Sequence, residues 1–456
     1  MLLAVLARLP FLHTPLTADE GGYAEVARLW SHGAVLYQGA WVDRPQGLLI
    51  IFRAMLHVDG GSAEALRALA AVAGALVVAV TMVVTARLAG RIPATIAGLA
   101  MATVGAAPFI ESFTLSGELL ASFFAVASLL AFVFYLERPA PGWLIAAGLL
   151  TGCAVLVKQS AFDAGAAAAV YLVWTRRRGG IAPAAALVAA AFVPVVVAAA
   201  TAQSFHDWWY AMVTYRDQAD SILTGSFHAR LDQARQSLPA AERGLGVLAL
   251  LALAGWRRWP LLGVLWLGFA ALAVIGGGNF HNHYYQQMVP PLALLAGIGG
   301  AELVRRRKLA WAAVVAVALA ATVSVTAPLW FDSPNAQAGT IFPDDPHLQT
   351  DAQVARYVRA HTRPGQRIFV MWAAADLYYL SGRDPSFRYM WFRNIQAIPG
   401  ALGQARRMLG GARPPALVVG INSPASMDPS GRTQRILDTR FRKVATVAGV
   451  PIYAPR

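Results

Sequence analysis

The feature that most constrains this chain is a series of long apolar runs, nearly free of charge, separated by short stretches where arginine and turn residues collect. A bilayer core about 30 Å thick needs about 20 helical residues. In lipid the backbone must satisfy its own hydrogen bonds, so runs of this kind become a bundle of transmembrane helices. They fall at residues 65–88, 92–109, 118–136, 143–157, 162–174, 181–202, 244–256, 259–276, 288–304 and 309–329. With the opening segment 1–12, which Pro10 and Pro15 cut short, the pattern predicts about eleven spans. Residues 47–56 are too short to cross and carry Arg53, so they read as an interfacial or re-entrant helix. A chain that is 57% hydrophobic and 14% charged, with a mean hydropathy of +0.50, is not a water-soluble globular protein.

The net charge of +14 would suggest nucleic acid in a soluble protein. Here the arginines cluster in loops, at Arg87 and Arg91, Arg176-Arg177-Arg178, Arg257-Arg258 and Arg305-Arg306-Arg307-Lys308. If each run crosses once, all four clusters share one side, which the positive-inside rule makes cytoplasmic. The cations therefore set orientation in a cell membrane, and no nucleic-acid partner is expected. The opposite, extracytoplasmic face receives the loop 17–46, Glu111, Lys158, residues 203–243, residues 279–287 and everything after Trp330. The single cysteine, Cys153, lies inside an apolar run and offers neither a disulfide framework nor a thiolate cluster. No small-residue cleavage site follows the opening segment, which reads as an anchor.

Two domains follow: residues 1–330 within the membrane and residues 331–456 as a small extracytoplasmic α/β domain. In the second, residues 351–361 and 400–409 read as helices and 367–372, 416–421 and 443–447 as strands. It carries no glycine-rich phosphate loop, metal cluster or nucleophile elbow.

Ionisable residues between membrane segments are the functional signal, and they concentrate in the loop 17–46. Asp19 and Glu20 follow the first apolar segment, and Asp43-Arg44-Pro45 precedes the next. Thr17-Ala18-Asp19-Glu20 also fits a capping box, in which Glu20 reaches back to the backbone. Asp19, in the first turn, would stay ionised near the positive helix end and be available as a base. Tyr23, Val26, Ala27, Trp30 and Ala34 share a helical face while Glu25, Arg28 and His32 do not, the pattern of a helix lying in the membrane interface. Arg44 suits either snorkelling or a bidentate grip on phosphate. Lys158 ends an apolar run on the outer side and calls for an anion, with a ligand phosphate ahead of Asp163 as its partner. Glu118 opens a helix. The stretch 279–287 gathers His281, His283, Tyr284 and Tyr285, a mixture suited to sugar hydroxyls or a phosphate. His-x-His could ligate a metal, but no acidic ligand is near in sequence, so no metal is expected. The aromatic cluster at 206–210 reads as an interface belt.

Taken in order, the acidic pair, the interfacial helices, the cation-Pro motif, the outer lysine, the Tyr-rich segment before Pro290-Pro291 and the terminal outer domain resemble the GT-C membrane glycosyltransferases. Among these the chain resembles the bacterial relatives of the protein O-mannosyltransferase and aminoarabinose transferase families (glycosyltransferase family 39-like). The resemblance implies a mostly α, polytopic GT-C-like bundle in a bacterial plasma membrane. It implies an inverting transferase that moves sugar from a polyprenyl-phosphate donor to an acceptor hydroxyl on a glycan, lipid or protein, without a cofactor. It makes Asp19 the catalytic base with Glu20 in support, and Arg44 and Lys158 the donor-phosphate contacts. Tyr23, Glu118, His281, His283, Tyr284 and Tyr285 complete the expected cavity. Arg44 stands where the family often has Lys before Pro-Pro, and Gln46 replaces the second Pro. A transporter or flippase for a lipid-linked or amphipathic anion is the alternative, although transporters usually carry their binding residues near the midplane.

Overall fold

The computed structural model describes residues 1–223, 226–306, 308–372 and 374–456. Among the described residues, four helices are long and apolar enough to cross a membrane: Ala63–Ala89, Gly117–Glu137, Arg178–Thr201 and Asn282–Arg305, the last beginning as a 3-10 turn. Shorter apolar helices, including Gln46–Met55, Arg91–Val104, Pro141–Val157 and Leu261–Gly276, pack among them. The expected run 92–109 stops early, because Gly105 ends the helix and Pro108 opens a 3-10 turn. The expected span 244–256 is the second half of the helix Phe227–Leu253. Its polar first half, read from sequence as loop, is helical because the Ser226 hydroxyl caps its start by accepting from the Ala229 amide (3.4 Å).

The bundle has two chemically distinct ends. Glu118 and Glu137 sit at opposite ends of one helix, about 28 Å of helical rise apart. Arg87 pairs with Glu137 at 2.8 Å, Arg176 donates to the Tyr135 hydroxyl, and Arg258 pairs with Glu302 toward the end of the helix Val289–Arg306. Basic loop residues thus gather away from Glu118. Of the fourth basic cluster, Arg307 lies outside the described residues.

Beyond the bundle lies a four-stranded sheet in the order β1-β2-β4-β3. β1 (Ile368–Met371) and β2 (Leu417–Gly420) are parallel, with Ile368 opposite Leu417 and Met371 opposite Gly420. Both are buried along their whole length, as an apolar strand covered on both faces must be. β3 (Phe441–Val447) and β4 (Val450–Pro455) form an antiparallel hairpin. Sequence reading stopped at β3, and β4 carries Pro451 and Pro455, residues uncommon in strands. The hairpin closes because Ala448 and Gly449 both take positive φ (48° and 86°), the requirement of a two-residue turn matched to strand twist. The apolar core is continuous from Leu48 and Phe52 through Trp41 to Tyr389, Val370 and Ile452. Trp41 joins the two regions, edge-on to Tyr215 and Tyr389.

The helix Ala18–Ser31 begins with the expected capping box: the Thr17 hydroxyl accepts from the Glu20 amide, and the Glu20 carboxylate accepts from the Thr17 amide (both 3.2 Å). Its two faces are not divided between apolar and solvated surroundings as expected. Glu25, assigned to the polar face, is fully buried, because the C-terminal portion covers that face and Arg28 bridges Glu25 (2.7 Å) and Asp384 (2.6 Å). Gly21 and Gly22 permit the approach. A Cβ on Gly21 would stand 2.4 Å from Asp376 Cβ, and one on Gly22 2.3 Å from Trp391 Cζ2.

Candidate active site

A cavity of about 640 Å³ opens where the near ends of the bundle helices meet the C-terminal portion. Each of its functional side chains is delivered by a helix end. Asp19 comes from the first turn of Ala18–Ser31, Arg44 from just before Gln46–Met55, and Glu118 from the start of Gly117–Glu137. Lys158 ends Pro141–Val157, and the 3-10 turn Asn282–Met288 supplies His283 and Tyr284. Such positions are natural here, since a helix buried in lipid can show polar groups to water only at its ends.

Asp19 is a half-exposed carboxylate of the cavity. Its Oδ2 accepts from the Tyr23 hydroxyl at 2.8 Å and lies 3.9 Å from Arg44 Nη2, while Oδ1 accepts from Trp391 Nε1 at 3.0 Å. Arg44 donates through Nε to the Tyr23 hydroxyl (2.8 Å) and through Nη1 to Asp43 (2.9 Å). The snorkelling alternative for Arg44 does not hold. Asp43 also pairs with Arg216 (3.2 Å). Burial works against the charge on Asp43, and Arg44 and Arg216 outweigh it, holding the group below the usual carboxylate range. For Tyr23, burial first and then Asp19 and Asp43 push the phenol well above its ordinary value against the pull of Arg44, so it remains a hydrogen-bond donor at neutral pH.

On the other wall Lys158 pairs with Glu118 at 2.7 Å and sits 4.3 Å from the centre of the Tyr284 ring. Asp163, the expected protein alternative, instead accepts from Trp266 (2.7 Å) and Gln287 (2.7 Å). Burial draws the lysine pKa down, partly offset by Glu118, so the ammonium depends on a nearby anion. His283 bridges Glu111 (3.3 Å) and Glu118 (3.7 Å), bringing to the histidines two acids that are distant in sequence. His281 and His283 stack at 5.4 Å, both edge-on to Tyr284. Among the described residues no group of three or more His, Cys, Asp or Glu is arranged to hold a metal.

Two expected site residues stand apart from this chemistry. Tyr285 does not line the cavity; its hydroxyl meets Ser237 at 2.7 Å, because consecutive residues of a 3-10 turn point about a third of a turn apart. Glu20 reaches the cavity wall, but its carboxylate is engaged by the Thr17 amide, the Leu115 amide (2.8 Å) and Arg67 (3.0 Å). It supports the loop.

Residues 43–202 match the family described as dolichyl-phosphate-mannose-protein mannosyltransferase. The structure is similar to that of ArnT from Cupriavidus metallidurans bound to undecaprenyl phosphate, with a TM-score of 0.66 over 99% of this chain and 96% of that one, at 16% identity. The apo state of the same protein gives a TM-score of 0.64 at 15% identity, over 99% and 96% of the two chains. The oligosaccharyltransferase of Archaeoglobus fulgidus, in its complex with Zn and sulfate, matches with a TM-score of 0.56 at 12% identity over 91% of this chain and 67% of that chain. No curated protein matches the sequence. The chain has the GT-C fold.

Within this GT-C cavity, sequence reading missed Arg216, Gln159, Trp391 and Arg393. Arg216 donates to the Asp43 carbonyl (3.0 Å) and to Gln159 (3.2 Å), while its Nε is buried without a partner. The Asn279 side-chain oxygen is likewise buried without one. Arg393 forms no ion pair among the described residues, although its field reaches Asp43. Arg216 sat in a stretch read as loop, and Trp391 and Arg393 in a domain with no motif. The one available signal was the Gly21-Gly22 pair beside the acidic residues, which marks a close approach.

Proposed function

We propose that the protein is an integral-membrane, inverting glycosyltransferase. In this reading it moves a sugar from a polyprenyl monophosphate to an acceptor hydroxyl at the extracytoplasmic face. The observation that carries the reading is the juxtaposition in one cavity of the half-exposed Asp19 carboxylate with Arg44, Lys158, Arg216 and Arg393. A base facing a cluster of cations at a helix-bundle end suits a reaction that takes a proton from one partner and leaves negative charge on the other. Undecaprenyl phosphate bound to the similarly folded ArnT supports a lipid phosphate as the leaving group.

The acceptor oxygen attacks the anomeric carbon as the C1–O bond to phosphate breaks, and the bonding pair leaves with the polyprenyl phosphate. Asp19 takes the acceptor's proton, general-base catalysis typically worth about 10²- to 10⁴-fold. Arg44, Lys158 and Arg216 meet the charge that develops on the leaving phosphate. A single displacement inverts the anomeric centre. His281, His283 and Tyr284 form the wall available to the sugar. The far-end arginines support a reading in which that end is cytoplasmic, by the positive-inside rule, with the cavity and residues 331–456 outside.

The test is sugar transfer by purified protein in lipid nanodiscs. It uses a panel of polyprenyl-phosphate sugars and extracted envelope acceptors, with wild type beside Asp19→Asn. Transfer lost in the variant while donor binding persists supports the assignment. An equally fast variant refutes the role of Asp19, and failure of wild type with every donor refutes the transferase reading in favour of transport.

A further inference from the structure

Asp19 is held from two sides by parts of the chain that are far apart in sequence. On one side Tyr23, one helical turn on, donates to Oδ2, with Arg44 behind it. On the other side Trp391 opens the helix Phe392–Ala397 as its N-cap and donates its indole N–H to Oδ1 at 3.0 Å. The terminal torsion of an aspartate is soft, with broad minima. A carboxylate tied at one oxygen alone would be free to swing toward Arg44 Nη2, 3.9 Å away, and form a closer ion pair. That closer pair would neutralise the base. The indole prevents it with a donor that neither titrates nor carries net charge, and the second lone-pair site of each oxygen stays free for an acceptor hydroxyl.

The indole is itself fixed. Its ring lies over the Gly22 backbone, where a Cβ would stand 2.3 Å from Cζ2, and packs 5.8 Å from the Tyr23 ring centre at a 35° tilt. Gly21 meets Asp376 in the same way one residue earlier. The two glycines that follow the acidic pair therefore seat the C-terminal portion against the first turn of the Asp19 helix. We infer that Trp391 is a positioning residue, through which the C-terminal portion orients the Asp19 carboxylate for proton transfer. This rests on the transferase reading above.

Two substitutions separate the hydrogen bond from packing. Trp391→Phe keeps an aromatic ring over Gly22 and removes the donor. Replacement of Trp391 by 3-benzothienylalanine, through suppression of a stop codon, keeps the shape of the indole with sulfur in place of N–H. The same replacement at the exposed Trp174 controls for incorporation. Initial rates are measured in nanodiscs against acceptor and donor concentration, alongside binding of the polyprenyl phosphate to each protein. The expected result is a fall in kcat of about tenfold to 10²-fold in both Trp391 variants, the scale of a misplaced reacting group. Donor binding and donor KM are expected to stay within about twofold. A merely structural role would be lost in Trp391→Phe and restored by the isostere. An isostere with wild-type kcat would therefore overturn the inference while leaving the transferase reading intact. Absence of transfer by wild type from any donor overturns the transferase reading itself, and the role of Trp391 falls with it.

Discussion

Replacing Glu20 by Gln should destabilise the protein by about 3–5 kcal/mol, the cost of leaving one charge of a buried ion pair uncompensated. The Glu20 and Arg67 side chains are 2% and 1% exposed and meet at 3.0 Å. Arg67 has little else to lean on. Its Nη2 also donates to the Pro15 carbonyl at 2.8 Å and its guanidinium lies 4.6 Å from the Phe113 ring centre, but Nε and Nη1 have no partner. The side-chain amide introduced by Glu20→Gln keeps one acceptor oxygen, whereas the Leu115 amide donates to Oε1 and the Thr17 amide to Oε2, so one of these two hydrogen bonds is lost along with the charge. Such a change lowers the folded-to-unfolded ratio by about two to four orders of magnitude. It would be read as the midpoint of detergent-induced unfolding in mixed micelles. The double variant Glu20→Gln with Arg67→Met, which leaves no charge in the site, should recover most of the loss as a coupling energy in a double-mutant cycle. If Glu20→Gln unfolded within about 1 kcal/mol of wild type, or if the double variant lost the sum of the two single losses, the assignment of Glu20 to the scaffold would be wrong.

Arg393→Gln should weaken binding of polyprenyl phosphate by about tenfold, the scale of one charge-assisted hydrogen bond, and flatten the salt dependence of binding; unchanged affinity measured by fluorescence titration would remove Arg393 from the site. Gly22→Ala places a Cβ 2.3 Å from Trp391 and 2.9 Å from the Ala375 Cβ, so it should cost about 1–3 kcal/mol and raise hydrogen exchange around residue 391, whereas wild-type exchange there would refute the packing argument. Burial opposes the charge on His347, but Asp345 and Asp351 (2.7 Å) outweigh it and raise the imidazole to about 10 from an ordinary 6.5. Its contribution to stability is therefore complete below about 6.5 and lost as pH rises through about 10, and a melting temperature measured between pH 6 and pH 10 should fall more for wild type than for His347→Gln.

The long apolar runs, their helical character and the end of the bundle where Asp19, Arg44, Glu118 and Lys158 collect were all legible in the sequence. Each follows from local physical chemistry: a backbone in lipid must be helical, and polar groups in a chain this apolar can sit only where helices end. The capping box at Thr17 and Glu20 was legible for the same reason, since its partners lie three residues apart. Only the tertiary structure decided which charge meets which. Lys158 chose Glu118 over the nearer Asp163 because the two helix ends that carry them meet across the cavity, whereas Asp163 turns to Trp266 and Gln287. Glu25 and Arg28 looked like a solvated face until Asp384 covered them, and Tyr285 turned away from its neighbour because a 3-10 turn separates consecutive side chains. Trp391, 372 residues from Asp19, had no local pattern to announce it. Local sequence determines where a polar group is tolerated, but its partner is set by the packing of distant segments, and the chemistry of this cavity belongs to the partners.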